Sequence, residues 1–266
     1  MRFLRLILAM AVLCAALPVA AQAPEEAHVW TLVLDPGHGG TDKGASGAKA
    51  HEKDITLAVA KRLRDKVEKE YGKEVNVVLT RDSDATLALQ DRADVANGEQ
   101  GDLFISIHVN SVAKKTRGRE KIAGCEVYTC GLHKSESNLE VAMTENAVME
   151  LEPDYSVTYQ GFDPGSDESY IIFELSQSAH MRQSVEFAGM AHDRLVSTAG
   201  RVGKGVKQAG FWVLWSTSMP SVLVELDFIC NPESENFLAS EKGQDKCAQA
   251  LFEAFSDYYE RARRPM

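Results

Sequence analysis

Basic side chains are scarce in this chain and cysteines are few. Past the first two dozen residues, no apolar run reaches the length of a membrane span. The 266 residues carry 29 Lys and Arg against 39 Asp and Glu, a formal net charge of −10. Two of the cations, Arg2 and Arg5, precede the first apolar run, and without them the charge is −12. That excess of acid disfavours nucleic acid and anionic membrane surfaces as partners. Apart from Cys14, the cysteines are Cys125, Cys130, Cys230 and Cys247. None forms a C-x-x-C pair, which removes the usual zinc-ribbon and dithiol arrangements. Cys125 and Cys130 share the strand-like run "CEVYTC", where five strand steps separate them by roughly 16 Å, too far to bridge without a bend. The cysteines read as small buried residues, with other pairings left open in an oxidising compartment. No compact H-E-x-x-H signature occurs, nor does any internal repeat or low-complexity linker.

What is present begins with a leader. Arg2 and Arg5 form a basic start, "LILAMAVLCAALPVA" an apolar core, and "AQA" at 21–23 a small-residue cleavage site. This reads as a signal peptide over residues 1–23, too short and wrongly flanked for a stable span. Cys14 follows Leu13 inside the apolar core, so it lacks the small residue that precedes a lipidated cysteine. The expectation is an exported protein, periplasmic or secreted, free of the membrane once the leader is removed, and monomeric. Residues 24–266 are long enough for a single domain.

Elements then alternate. Strands are expected at "WTLVLD" (30–35), "VNVVLTR" (75–81), "LFISIHVN" (103–110), "CEVYTC" (125–130), "FWVLW" (211–215) and "SVLVELDFI" (221–229). The run "EKDITLAVAKRLRDKVEKEYG" puts Ile55, Val59, Leu63 and Val67 on one helical face. Further helices are expected at "LALQDRADVANG", from about Ser135, from about Glu168 to Thr198, and along "GQDKCAQALFEAFSDYYERARR". This pattern predicts an α/β fold, a twisted, mostly parallel or mixed sheet of about six strands with helices on both faces. Sites in such sheets gather at the carboxyl ends of strands.

Four residues stand out. His38 sits on the turn "VLDPGHGG" at the end of the first strand, where it either rides in solvent on a Pro/Gly turn or faces a site. Glu52 opens the first long helix, where an acid also simply complements the dipole. His108 shares one strand face with Phe104, Ser106 and Asn110, as a core histidine or a ligand. Glu225 lies in a run that otherwise wants burial, with Asp227 two residues on. Either the strand ends early, with both acids near solvent, or the carboxylate faces a site. Two imidazoles and a carboxylate make a hydrolytic zinc set with an open fourth position, and a nearby carboxylate suits a general base.

The stretches "LVLDPGHGGTDKGASG…HEKDITLAVAKRL", "VVLTRDSD…LALQDRADVANGEQGDLFISIHVNS" and "QAGFWVLWSTSMPSVLVELDFICNPESE" resemble the zinc-dependent N-acetylmuramoyl-L-alanine amidases of the type-3 family, in order from about Thr31 to the C-terminus. The resemblance implies His38, Glu52 and His108 as zinc ligands and Glu225 as the catalytic glutamate. It implies hydrolysis of the amide joining the lactyl group of N-acetylmuramic acid to L-alanine in peptidoglycan, in cell-wall remodelling and daughter-cell separation. His51 matches no ligand position and reads as loop.

An additional segment, at about 138–169, resembles the regulated division-type amidases, in which a helix covers the site and a glutamate takes zinc's open position. Glu145, Glu150 and Glu152 are the acids available, and Glu145 is the choice. A protein activator would then displace the helix. The plainer alternative is a surface helix followed by an acidic loop. A zinc carboxypeptidase is the rival chemistry. It would need a basic residue for a terminal carboxylate, with Arg81 and Arg92 as candidates, although both read as placed by helix and strand packing. A non-catalytic wall-binding module of the same fold is a further rival, although none of the four site residues is missing.

Overall fold

The computed structural model describes residues 28–152, 154–175 and 180–264, so the leader reading lies outside the described residues. Six strands form one sheet: β1 (Trp30–Pro36), β2 (Val75–Leu79), β3 (Leu103–Asn110), β4 (Cys125–Cys130), β5 (Gly203–Ala209) and β6 (Ser221–Phe228). Their order is β2-β1-β3-β6-β4-β5. Every neighbouring pair is parallel except β4 with β6, which makes the sheet mixed. In chain order, the described helices are α1 (Glu52–Tyr71), α2 (Leu89–Gly98), α3 (Glu136–Asn146), α4 (Tyr155–Thr158), α5 (Ile171–Leu175), α6 (Met181–Ser197), α7 (Trp212–Trp215), α8 (Pro232–Leu238) and α9 (Glu241–Ala262).

Side-chain alternation on β3 divides the core. Leu103, Ile105, Ile107 and Val109 join Ile55, Val59, Leu63 and Val67 of α1, together with α6 and α9, on one face. Phe104 joins the opposite cluster, built from Leu89, Leu139, Met149, Tyr159, Phe162 and Trp212 among others. Helices therefore cover both faces, which lets strands as apolar as β3 and β6 be buried along their whole length. The segment at about 138–169 supplies part of the second cluster, so much of it is packed against the sheet rather than standing off it.

Two elements differ from the sequence reading. "FWVLW" is not a strand. Trp212–Trp215 is a single helical turn, and Trp212, Val213 and Leu214 are buried in succession inside the aromatic cluster. The sixth strand is instead β5, "GKGVKQA", at the sheet edge. Two glycines and two lysines hide it from a hydrophobicity pattern, and charge of this kind is what keeps an edge from pairing with other chains. The long helix expected from about Glu168 begins at Met181, with His180 at its N-cap position. Before it come a 3₁₀ turn, Asp167–Tyr170, and α5.

Candidate active site

Parallel pairing brings the carboxyl ends of β1, β3 and β6 side by side. Pro36 is level with Ile107, and His108 is level with Glu225. The turn after β1 then throws His38 across the end of β3. His38 has φ 60°, the left-handed region that few non-glycine residues occupy. Such a residue costs on the order of 1 kcal/mol and persists only where its surroundings hold it.

The surroundings are two buried arginines. Arg81 donates to the carbonyls of Pro36, Gly37 and Lys53, and Arg92 to those of Pro36 and His38. Arg92 also pairs with the buried Asp35 carboxylate at 2.7 Å. Burial pushes the Asp35 carboxyl up, but Arg92 and the hydroxyls of Thr80 and Ser106 outweigh it and leave it below its ordinary value. With their donors spent on this turn, Arg81 and Arg92 are not presented for the terminal carboxylate that a carboxypeptidase must hold. Gly37 is required by proximity, because a Cβ there would lie 2.5 Å from the His108 ring.

Glu52 is wholly buried, so it does more than face the helix dipole. Its Oε1 accepts from the Val109 N–H and its Oε2 from the Ala45 N–H, each at 2.7 Å. Its carboxylate also lies 3.2 Å from His38 Nε2 and 3.1 Å from His108 Nδ1. The two imidazoles meet edge-on, with ring centroids 5.0 Å apart and planes inclined at 72°.

Glu145, near the end of α3, closes the cluster. Its Oε2 is 3.1 Å from His38 Nε2 and 3.0 Å from His108 Nδ1. Of the other acids in that segment, Glu150 is exposed, and Glu152 accepts from the Leu89 N–H and the Tyr159 hydroxyl. His51 sits at the N-cap position of α1 without a side-chain capping bond, and its ring bonds Ser46, a loop role.

The donor set fits a divalent cation. One ligand atom each from His38, Glu52, His108 and Glu145 lies within 4.8 Å of the others. His38 Nε2, His108 Nδ1 and Glu145 Oε2 are buried and make no hydrogen bond. Such atoms are costly unless something else satisfies them. With neutral imidazoles the four residues carry two negative charges, which one divalent ion balances. Without an ion, protons take its place. Burial lowers the affinity of both rings for protons, but Glu52 and Glu145 more than reverse this, raising His38 well above its ordinary value and His108 to about 10. Glu52 is held low against burial by the two imidazoles.

Glu225 lies level with His108 on the neighbouring strand. It is fully buried, and neither carboxylate oxygen has a hydrogen-bond partner. Burial, joined by the charges of Glu145 and Glu52 and opposed by His108, pushes its carboxyl well above the ordinary range. Asp227 is buried too, but serves structure. It accepts from the Gly124 N–H and the Ser234 hydroxyl and pairs with Arg201. The reading in which the strand ends early, with both acids near solvent, therefore does not hold.

Asp42 was not singled out from sequence. Its Oδ2 lies 2.6 Å from His38 Nδ1, where it orients the ring. The signal was an acid four residues after a candidate ligand, in the same Gly-rich turn. Glu126 was also missed. It is level with Glu225 on the neighbouring strand and bonds Lys207, Tyr128 and Asn110.

Residues 32–257 match the N-acetylmuramoyl-L-alanine amidase family. The Bacillus subtilis protein YqiI is 32% identical over 98% of this chain and 100% of its own length. Escherichia coli amidase AmiC is 32% identical over 86% of this chain, which spans 52% of AmiC. The crystal structure of an N-acetylmuramoyl-L-alanine amidase from Clostridium difficile 630 superposes with a TM-score of 0.63 and 26% identity, covering 87% of this chain and 97% of that one. The chain belongs to the N-acetylmuramoyl-L-alanine amidase family.

Proposed function

We propose that this enzyme uses zinc to hydrolyse the amide between the lactyl group of N-acetylmuramic acid and L-alanine in peptidoglycan, and that it acts outside the inner membrane in wall remodelling and daughter-cell separation. The observation that carries the reading is the convergence of unpartnered, buried His38 Nε2 and His108 Nδ1 on one point beside the Glu52 carboxylate. These three residues would hold the ion, with Asp42 fixing the His38 ring. When bound there, zinc supplies Lewis-acid polarisation to water and to the scissile carbonyl.

The remaining steps belong to the protein. Glu225, a buried carboxyl with free oxygens beside His108, would ionise once the ion offsets the charges of Glu52 and Glu145, and then takes a proton from the attacking water as oxygen bonds to the carbonyl carbon. It returns that proton to the nitrogen of L-alanine as the C–N bond breaks. A groove of about 1500 Å³ opens from His38 and Glu145 and has room for a glycan strand with its peptide. Glu145 occupies the point that water and substrate would need, so α3 in this position holds the enzyme inactive. A protein partner that binds α3 better when displaced would open it, since a ligand shifts an equilibrium only by differential affinity.

The test is elemental analysis of purified protein together with product analysis on peptidoglycan. About one zinc per chain and a freed L-alanine amine are expected. Metal-free protein that cleaves normally would end the zinc reading, and release of terminal amino acids would favour a carboxypeptidase.

A further inference from the structure

The chain is acidic overall, yet five cations line its groove beside as many acids. Lys114, Lys115, Arg119, Lys204 and Lys207 all line it. Lys207 is neutralised by Glu126 at 2.6 Å. Among the described residues the other four pair with no carboxylate. Three of those four come from the basic loop between β3 and β4, where Glu120 is the only acid among Lys114, Lys115, Arg117, Arg119 and Lys121.

Arg119 differs from its neighbours because it is held in place. Its N–H bonds the Thr116 carbonyl, its own carbonyl accepts from the Ile122 N–H, and the Cys230 thiol donates to that carbonyl as well. Gly118, at φ 76°, makes the turn that allows this. The guanidinium itself is underused. Nε is buried without any partner, and one terminal nitrogen reaches Ser111 Oγ at a long 3.5 Å. A planar fork of donors, fixed at its base and lacking an acceptor, suits bidentate capture of a carboxylate. Ser111 lies three residues beyond His108, roughly 10 Å along an extended chain. That is the span of two or three residues of a bound peptide.

Building on the amidase reading, we infer that Arg119 binds a free carboxylate carried two or three residues from the scissile bond on the peptide side of the substrate. The exposed lysines around it supply the attractive field. Arg119 is thus a specificity residue for anionic stem peptides.

The experiment uses two muramoyl-peptide fragments, identical except that this carboxylate is free in one and amidated in the other. Turnover is measured with the full enzyme and with a Glu145→Ala form, and equilibrium binding is measured by calorimetry. Arg119→Gln should raise KM and Kd for the free-carboxylate fragment about tenfold, with kcat within about twofold and no effect on the amidated fragment. Arg119→Lys should recover part of the loss, since it keeps charge without the fork. Equal effects on both fragments, or no effect on either, would overturn the inference, as would equal wild-type binding of the two fragments. Failure of the amidase reading looks different. There, no amide beside the sugar is cleaved in either fragment, while the binding difference still decides the role of Arg119.

Discussion

Asp42 Oδ2 lies 2.6 Å from His38 Nδ1, on the side of the ring opposite the nitrogen that faces His108 and Glu145. The contact selects which ring nitrogen is free and makes it a better donor to a cation. Asp42→Asn keeps the shape but removes the charge. Zinc affinity should fall by about 10- to 100-fold, as measured by competition with a chelator. An unchanged affinity would mean that the Arg-clamped turn alone orients His38.

Glu225 has no structural partner to lose. Glu225→Gln should therefore retain fold and zinc. Thermal unfolding should change little or shift upward, because a buried carboxyl that resists ionisation is replaced by a neutral amide. Hydrolysis of peptidoglycan should drop by about 10²- to 10⁴-fold. Turnover within a few-fold of wild type would make Glu225 merely structural.

Glu145 and His108 meet across 3.0 Å from different layers of the molecule, α3 and the sheet. If this contact holds the enzyme closed, Glu145→Ala should raise basal turnover by tenfold or more, the effect of about 1.4 kcal/mol on the opening equilibrium. Zinc content should stay the same, because three ligands remain. The substitution is cleaner than removing the segment at about 138–169, whose Leu139, Met149, Tyr159 and Phe162 belong to the core. Unchanged turnover would make α3 a wall of the substrate groove.

The alternation of "LFISIHVN" predicted which residues of β3 share a face, and the core follows it. The solvent-facing readings of His38 and Glu225 and the purely dipolar reading of Glu52 fail because all three side chains are buried or nearly so, which local pattern cannot show. Motif order, through the resemblance, supplied the expectation that they meet. Helical and strand periodicity could not find β5, because an edge strand needs few apolar residues. Nor could it separate a buried single-turn helix from a strand at "FWVLW", since three successive buried residues fit either. Asp42 stayed hidden, and so did the particular bonds of Arg81 and Arg92, for another reason. Their roles are hydrogen bonds made 28 to 57 residues away or, for Asp42, within a turn whose shape only φ values reveal.

Asp35 connects the His38 turn to stability. Its carboxylate accepts from Arg92, Thr80 and Ser106, and Arg92 in turn holds the His38 carbonyl. Asp35→Asn leaves the buried Arg92 charge unpaired, which should destabilise the fold by about 3 kcal/mol at neutral pH. The pH dependence has a definite sign. The folded carboxyl titrates below its unfolded value of about 4, so its contribution is complete above that value and is lost as pH falls through the folded one. Urea unfolding of wild type and Asp35→Asn should therefore differ most near pH 7 and converge as pH drops below about 4. Zinc affinity should fall in the same variant, because the His38 turn loosens with Arg92. A stability gap that stays constant down to pH 2 would show that Asp35 contributes hydrogen bonds alone and that its charge is immaterial to the clamp.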